Sequence, residues 1–472
     1  MYYKSRRKPL SLKYKKPYDA VIVGGGIAGL YCAYKLSETQ NVALFDERNY
    51  IGGRIYTHSK GYEVGAARFN DSHTQLLELI KHYKMIKIPI PKEIDYIECF
   101  EDKENKVTMN SHIEFQKILN EVLKKTKKTK NLGKITFYQH LINILKSKEK
   151  ADHVVNIFGY YSEIKEMNAL DAYNTFKNDF GNVQYYFLMG GLSGLCENMV
   201  KTIRENGSKV YLKSRINSVE RVNDFFRIGR ENRKRKVTGK KVIFATKPHQ
   251  LKEFPIISSI HKYAKAVYNA PLIRIYATYK DVWFQNINRT TTNNILRQII
   301  PINASNIGSN IGSSVGSGFG SALGSRVVSA VGSAVGSTVG STVGSVLGSA
   351  ISVDKGLIMI SYTDGKDTKP FMKNDFELKS DSELKQIVAK NIKKVFPEKN
   401  IGEPDYFKAH LWTVGCHHWL PNFDSTKIQK DILNPVENVY ICGEGFSDKQ
   451  AWIEGALNSA SKVIKCIKYG VV

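Results

Sequence analysis

From Tyr18 to Leu36 the chain reads YDAVIVGGGIAGLYCAYKL: four consecutive apolar residues at 20–23, a glycine cluster, then apolar residues at helical spacing. A short unbroken apolar run predicts a strand covered on both faces, the glycines a turn, and the periodicity a helix. A second apolar run in NVALFDERN predicts another buried strand, so the fold opens with a βαβ unit. Strand-like runs return in SKVYLKSRINSVERV, KKVIFATKP, PLIRIYATY and GLIMISYTDG, and NVYICGEGF leads into a last helical pattern. From about 75 to 180, helical patterns alternate with aromatic and Lys-rich stretches, which read as a cap or substrate-side region.

One stretch obeys neither period. From Ile307 to Ala350 an apolar-Gly-Ser-small unit recurs every four residues, interrupted by the charge of Arg326. Small residues at every fourth position permit close helix approach, as in membrane helices. Gly and Ser disfavour an isolated helix, however, and the hydrophobicity is weak for a span. The segment therefore reads first as a low-complexity, flexible or self-associating surface insertion, with a membrane or oligomer role as the alternative.

Composition supports a folded protein: 472 residues, 42% hydrophobic and 11% aromatic, exceed one compact core and predict two intertwined domains or one with insertions. The net charge of +26 is gathered in runs at 4–16, 124–130 and 230–236. Such runs suit nucleic acid or an anionic surface, but a solvated basic face needs no partner. The six cysteines lie far apart with no CxxC pair, and the N-terminus has charge without an apolar signal core. The expectation is an intracellular protein, or one carried in a virus particle, rather than a secreted one.

Gly24-x-Gly26-x-x-Gly29 would be a weak motif alone. Here it follows a buried strand, opens a helix and is answered by Asp46 at the end of the next strand. The first glycine makes the turn, the second admits a pyrophosphate, the third packs helix on strand, and the carboxylate binds ribose hydroxyls. The chain then continues DERNYIGGRIYT. Asp46, Arg48 and the second diglycine with its arginine, Gly53-Arg54, resemble the signature of the flavin amine oxidase superfamily, which implies FAD lying along that segment.

The resemblance resumes in VYICGEGF and AWIEGALNSASKVI, and it implies Glu444 near the ribityl chain and a last helix whose N-terminus at Trp452 and Ile453 faces the flavin. A helix dipole there would stabilise a reduced, anionic flavin. Ile216 corresponds to the adenine-contacting residue. In TVGCHHWLP, Gly415-Cys416 matches the monoamine oxidase variant in which the cysteine is bonded to the flavin. A small packed cysteine under noncovalent FAD stays open beside it, and a metal site at Cys416 lacks zinc spacing. The resemblance further places His417 and Trp452 as the two walls of an aromatic cage. VGAARFN is similar to the segment of L-amino-acid oxidases and tryptophan monooxygenases whose arginine, here Arg68, grips the substrate carboxylate. Arg274 stands where amine oxidases carry a lysine that assists reaction with oxygen, a departure that opens the question of the electron acceptor.

The expected fold class is α/β: a Rossmann-like FAD-binding domain interleaved with an α+β substrate-binding domain. The expected division is a basic arm at 1–17, FAD-binding parts at 18–95, 186–255 and 411–472, a cap at 96–185, and a substrate domain at 256–410 holding the repeat insertion at 303–352. The implied function is a FAD-dependent oxidase of an amine or L-amino acid: hydride passes to flavin N5, the imine hydrolyses to a carbonyl compound and ammonia, and O2 becomes hydrogen peroxide. Trp452, His417, Arg274 and Arg68 form the expected substrate side, with no metal. The alternatives are a desaturase or dehydrogenase of the same fold, and a flavin-binding packaging protein whose basic runs hold nucleic acid.

Overall fold

The computed structural model describes residues 16–127, 129–180, 183–302 and 356–470. Residues 1–15 of the basic arm and the whole Gly-Ser repeat lie outside the described residues, as do the expectations attached to them.

The opening βαβ unit forms as its pattern dictates: β1 (Ala20–Val23), α1 (Ile27–Ser37) and β2 (Val42–Phe45). These strands lie inside a five-stranded, wholly parallel sheet ordered Val439–Ile441, Val242–Phe244, β1, β2, Lys209–Tyr211. Side chains alternate across it. Ala20 and Ile22 pack with Leu30, Leu195, Met199 and Leu457 of the helices on one face. Val21 and Val23 pack with Val219, Phe226 and Ile228 of an antiparallel three-stranded sheet on the other. Burial on both faces explains why these strands are unbroken apolar runs.

The second layer is a seven-stranded mixed sheet ordered Tyr406–Trp419, Val267–Thr278, Leu357–Asp364, Gln298–Ile302, Arg289–Thr292, Ile94–Glu98, Lys106–Thr108. Helix Asp381–Val395 starts on a capping box of Ser380 and Glu383 and lays Leu384, Val388 and Ile392 on this sheet. The cap is helical between Ser111 and Asp179, and Phe115, Phe137, Phe158 and Phe176 form its core. Trp452 packs into that same cluster and so joins the cap to the start of the last helix, Ile453–Tyr469.

Two sequence features resolve differently from a simple reading. SKVYLKSRINSVERV splits: Lys209–Tyr211 closes the parallel sheet, and Ile216–Val222 begins the antiparallel one. The basic run at 230–236 forms the turn and the exposed start of strand Arg233–Gly239, where Lys236 meets Glu220 at 3.2 Å. All six cysteines are free. Among the described residues no helix is long and apolar enough to cross a membrane, and no three metal-ligating side chains gather.

Candidate active site

One cavity of about 690 Å³ runs from the turn after β1 to the N-terminus of the last helix. At its first end the glycines act through backbone. Gly24 holds φ +106°, and a Cβ on Gly29 would stand 2.0 Å from the Gly24 carbonyl oxygen, so only glycine lets the helix close on the turn. A Cβ on Gly26 would meet nothing within 4 Å; that backbone borders open space at the N-terminus of α1, a setting suited to phosphate. Asp46 accepts the Gly25 N–H at 2.6 Å and the Arg48 N–H at 2.8 Å, leaving lone pairs toward the cavity edge. Arg48 donates to the Gly53 carbonyl at 2.6 Å, fixing the second diglycine, and Ile216 supplies an apolar wall. Lys247 also lines this end, and burial followed by repulsion from Arg54 and Arg48 pushes its pKa down to about 8.

The middle is tied together by one carboxylate. Glu444 accepts hydrogen bonds from Arg54 (2.6 Å), the His417 backbone N–H (3.0 Å), His417 Nδ1 (2.9 Å) and the Ala451 N–H (2.9 Å). Burial alone would raise its pKa, but Arg54 and then His417 outweigh that and hold it well below the ordinary range. Arg54 also donates to the Gly415 carbonyl at 3.0 Å. Diglycine loop, strand Tyr406–Trp419 and last helix are thereby fixed to one another.

Cys416 owes its position to an irregularity of that strand. Ala270 pairs Cys416 but Leu272 pairs Trp412, so the segment around Thr413–Gly415 bulges opposite Pro271, which has no N–H for the ladder. The Cys416 thiol opens on the cavity and lies 3.4 Å from His418 Nε2. Burial, then the charge of Asp364, raise the thiol pKa, and burial lowers His418 to about 4, so both are neutral.

His417, the expected second cage wall, is among the residues that line the cavity, with its side chain buried and its backbone and Nδ1 both held by Glu444. Strand alternation sends Cys416 and His418 to one side and His417 to the other. Trp452 also borders the cavity, edge-on to His73 at 4.8 Å between ring centroids. Ile453, the first residue of the last helix, lies beside it.

At the far end Arg68 is held by rings. Its guanidinium carbon lies 5.3 Å from the Tyr160 centroid, 5.2 Å from Tyr185 and 5.9 Å from Trp452. Arg68 finds no ion-pair partner among the described residues. Burial acts to lower its pKa, but the tyrosines around it and Glu163 raise it, so it keeps its charge. Arg274 donates to the Glu63 carbonyl at 2.9 Å and stacks over Tyr362 at 4.4 Å.

Sequence reasoning missed Tyr160, Tyr362, Glu163, Asp364, Arg289 and Lys247, all of which line the cavity. Asp364 accepts the N–H groups of Tyr161 (2.7 Å) and Ser162 (2.8 Å), capping the short helix that carries Glu163. Glu163 is buried, its Oε2 has no partner, and burial followed by Asp364 pushes its pKa up to about 8. A long cavity with glycine backbone, a carboxylate at its edge and a helix N-terminus at each end fits a dinucleotide, with the aromatic end left for a small molecule.

The family model for flavin containing amine oxidoreductases matches residues 27–463. An uncharacterized protein of Acanthamoeba polyphaga mimivirus is 38% identical over 82 residues, 16% of this chain and 16% of that protein. Flavin-containing amine oxidase A of Equus caballus is 38% identical over 69 residues, 14% of this chain and 13% of that one. The aligned stretches thus span less than a fifth of these curated relatives. Wild-type putrescine oxidase bound to putrescine superposes with a TM-score of 0.69 at 14% identity, over 96% of this chain and 99% of that one. At that identity the likeness is one of fold.

Proposed function

Because the chain belongs to the flavin containing amine oxidoreductases, we propose that it is a FAD-dependent oxidase of an amine carrying a carboxylate, an L-amino acid being the simplest case. The observation that carries this reading is Arg68, a charged guanidinium clasped by Tyr160, Tyr185 and Trp452 with no ion-pair partner among the described residues. A planar fork so placed suits a carboxylate, and an anion there offsets the cost of leaving its charge unpaired in a half-buried site.

In this reading residues 18–95, 186–255 and 411–472 hold the cofactor, and 96–185 with 256–410 hold the substrate. Gly24, Gly26 and Gly29 receive the pyrophosphate, and Asp46 the ribose. FAD, held there, would supply a two-electron acceptor for oxidation of the carbon that bears the amine to an imine, which water would hydrolyse to a carbonyl compound and ammonia. The protein's part is to position and to dry: Arg68 holds the carboxylate, Trp452 and Tyr160 exclude water, and the dipole of the last helix favours negative charge at its N-terminus. Glu444 is a positioning residue, acting through Arg54 and His417.

Two states of Cys416 belong to this reading, a thioether to the flavin and a thiol packed against it. Acid precipitation separates them: yellow in the pellet means the bond, and Cys416→Ala then releases it. The reading as a whole is tested by adding L-amino acids anaerobically to the FAD-loaded chain. Loss of the yellow absorbance, with ammonia formed, supports it; bleaching by simple amines alone would sink the role of Arg68.

Arg274 favours a second reading for the electron acceptor. It stays cationic because Tyr362 and Tyr276 outweigh the effect of burial, so it cannot trade a proton as a lysine can. Turnover with an artificial acceptor but without hydrogen peroxide would make the protein a dehydrogenase.

A further inference from the structure

Beside Arg68 the cavity carries a second arginine that the proposed function leaves without a task. Arg289 begins strand Arg289–Thr292 and lines the same end of the cavity. It donates from Nη2 to Gln298 Oε1 at 2.7 Å and meets the hydroxyl of Tyr160, while its Nε is buried without a partner. Gln298 is itself fixed, donating to the Gly159 carbonyl at 3.0 Å, so it presents its oxygen to Arg289 and cannot neutralise it.

The two guanidiniums share a neighbour. Tyr160 offers its ring to Arg68, and its hydroxyl interacts with Arg289. They also feel each other: burial, then the charge of Arg68, lower the pKa of Arg289. Neither forms an ion pair within 4.0 Å among the described residues. The acids nearby do not answer them. Both oxygens of Asp364 are taken by the N–H groups of Tyr161 and Ser162, and Glu163 is held mostly protonated at neutral pH. Arg274 adds a third cation to the same walls. Like charges left unpaired in a half-buried site are costly unless a ligand brings the opposite charge.

Resting on the carboxylate reading of Arg68, we infer that Arg68 and Arg289 form a two-arginine anion subsite, and that the substrate is an amine with two anionic groups, an acidic α-amino acid being the simplest. Arg68 takes the carboxylate next to the reacting carbon, and Arg289 takes the one at the far end of the side chain. A diamine is disfavoured by the same walls, since it would bring positive charge to a surface that already carries it.

The test uses the FAD-loaded full chain with L-glutamate, L-aspartate, L-leucine and putrescine. Wild type should show kcat/KM for one acidic amino acid well above that for L-leucine. Arg289→Leu should lower that value about tenfold or more through KM, the loss of one charge-assisted contact, while leaving L-leucine within about twofold. Arg289→Lys should restore part of it. Equal kcat/KM for acidic and neutral amino acids in wild type, or an equal loss for both in Arg289→Leu, overturns the inference and leaves the proposed function standing. Turnover of simple amines alone overturns both, at Arg68. Should Arg289→Leu fail to fold, the flavin spectrum of wild type titrated with glutarate and with butyrate decides: tighter binding of glutarate by about tenfold supports the second anion contact, and equal affinities exclude it.

Discussion

Position 444 shows how much one side chain can hold. The Glu444 carboxylate takes its hydrogen bonds from Arg54, His417 and Ala451, and a buried acid so surrounded stays ionised. Glu444→Gln should therefore cost about 3 kcal/mol of stability at pH 7, the scale of breaking a buried ion pair. The sign with pH follows from a depressed pKa: the stabilisation is present above the ordinary value of 4.5 and fades as pH falls below it. The gap in melting temperature between wild type and Glu444→Gln should hold from pH 7 to about pH 5 and shrink as pH falls below the ordinary value of 4.5. Glu163 runs the other way. Its pKa of about 8 means that it ionises as pH rises past that point, placing a negative charge near Arg68. The KM for a carboxylate substrate should rise above pH 8, and Glu163→Gln should flatten that limb. Of these residues Arg68 and Glu444 stood out in the sequence because each sits in a short motif, and the structure puts both on the cavity wall. Glu163 was not: nothing in YYSEIK distinguishes it from a surface acid, and only Asp364, some two hundred residues away, gives the helix beneath it a cap.

Among elements, those that depend on local sequence were the legible ones. β1, α1 and β2 follow from contiguous apolar patterns and a glycine turn, and strand Val439–Ile441 with the helix after it follows from the same logic. The cap was not legible as a site, since Tyr160 and Tyr362 meet only when helices from one part of the chain close on a sheet from another, at 5.3 Å between ring centroids. For His417, family correspondence gives a position along the chain, and the bulge and Glu444 decide which way its ring turns. Gly415 makes the bulge testable. A Cβ there would lie 2.5 Å from the Leu272 Cβ, on the strand that Gly415 faces. Gly415→Ala should cost about 1–3 kcal/mol through overpacking, and flavin retention after gel filtration should fall with it, because Arg54 holds the Gly415 carbonyl and Cys416 follows immediately.

For the molecule as a whole, the sequence shows a repeat of unusual composition, and the structure shows where its ends are attached. Strands Gln298–Ile302 and Leu357–Asp364 are antiparallel neighbours, with Ile302 paired to Leu357. About 50 residues therefore join two positions that face each other across a ladder, where a hairpin turn of two to five residues would suffice. Leu357 and Ile358 are buried and Ile302 half-buried, and the two strands pair directly with each other. Replacing residues 303–355 with a short Asn-Gly turn keeps every pair of that ladder. Closing a loop of about 50 residues costs roughly 2 kcal/mol more than closing one of four, by the logarithmic dependence on length. The shortened chain should thus fold with an unchanged or slightly higher melting temperature and the same flavin content, and its kcat/KM should match the full chain. A shortened chain that melts normally but binds no FAD would show that the insertion serves the cofactor site. One that loses activity only at low protein concentration would reassign the repeat to association between copies.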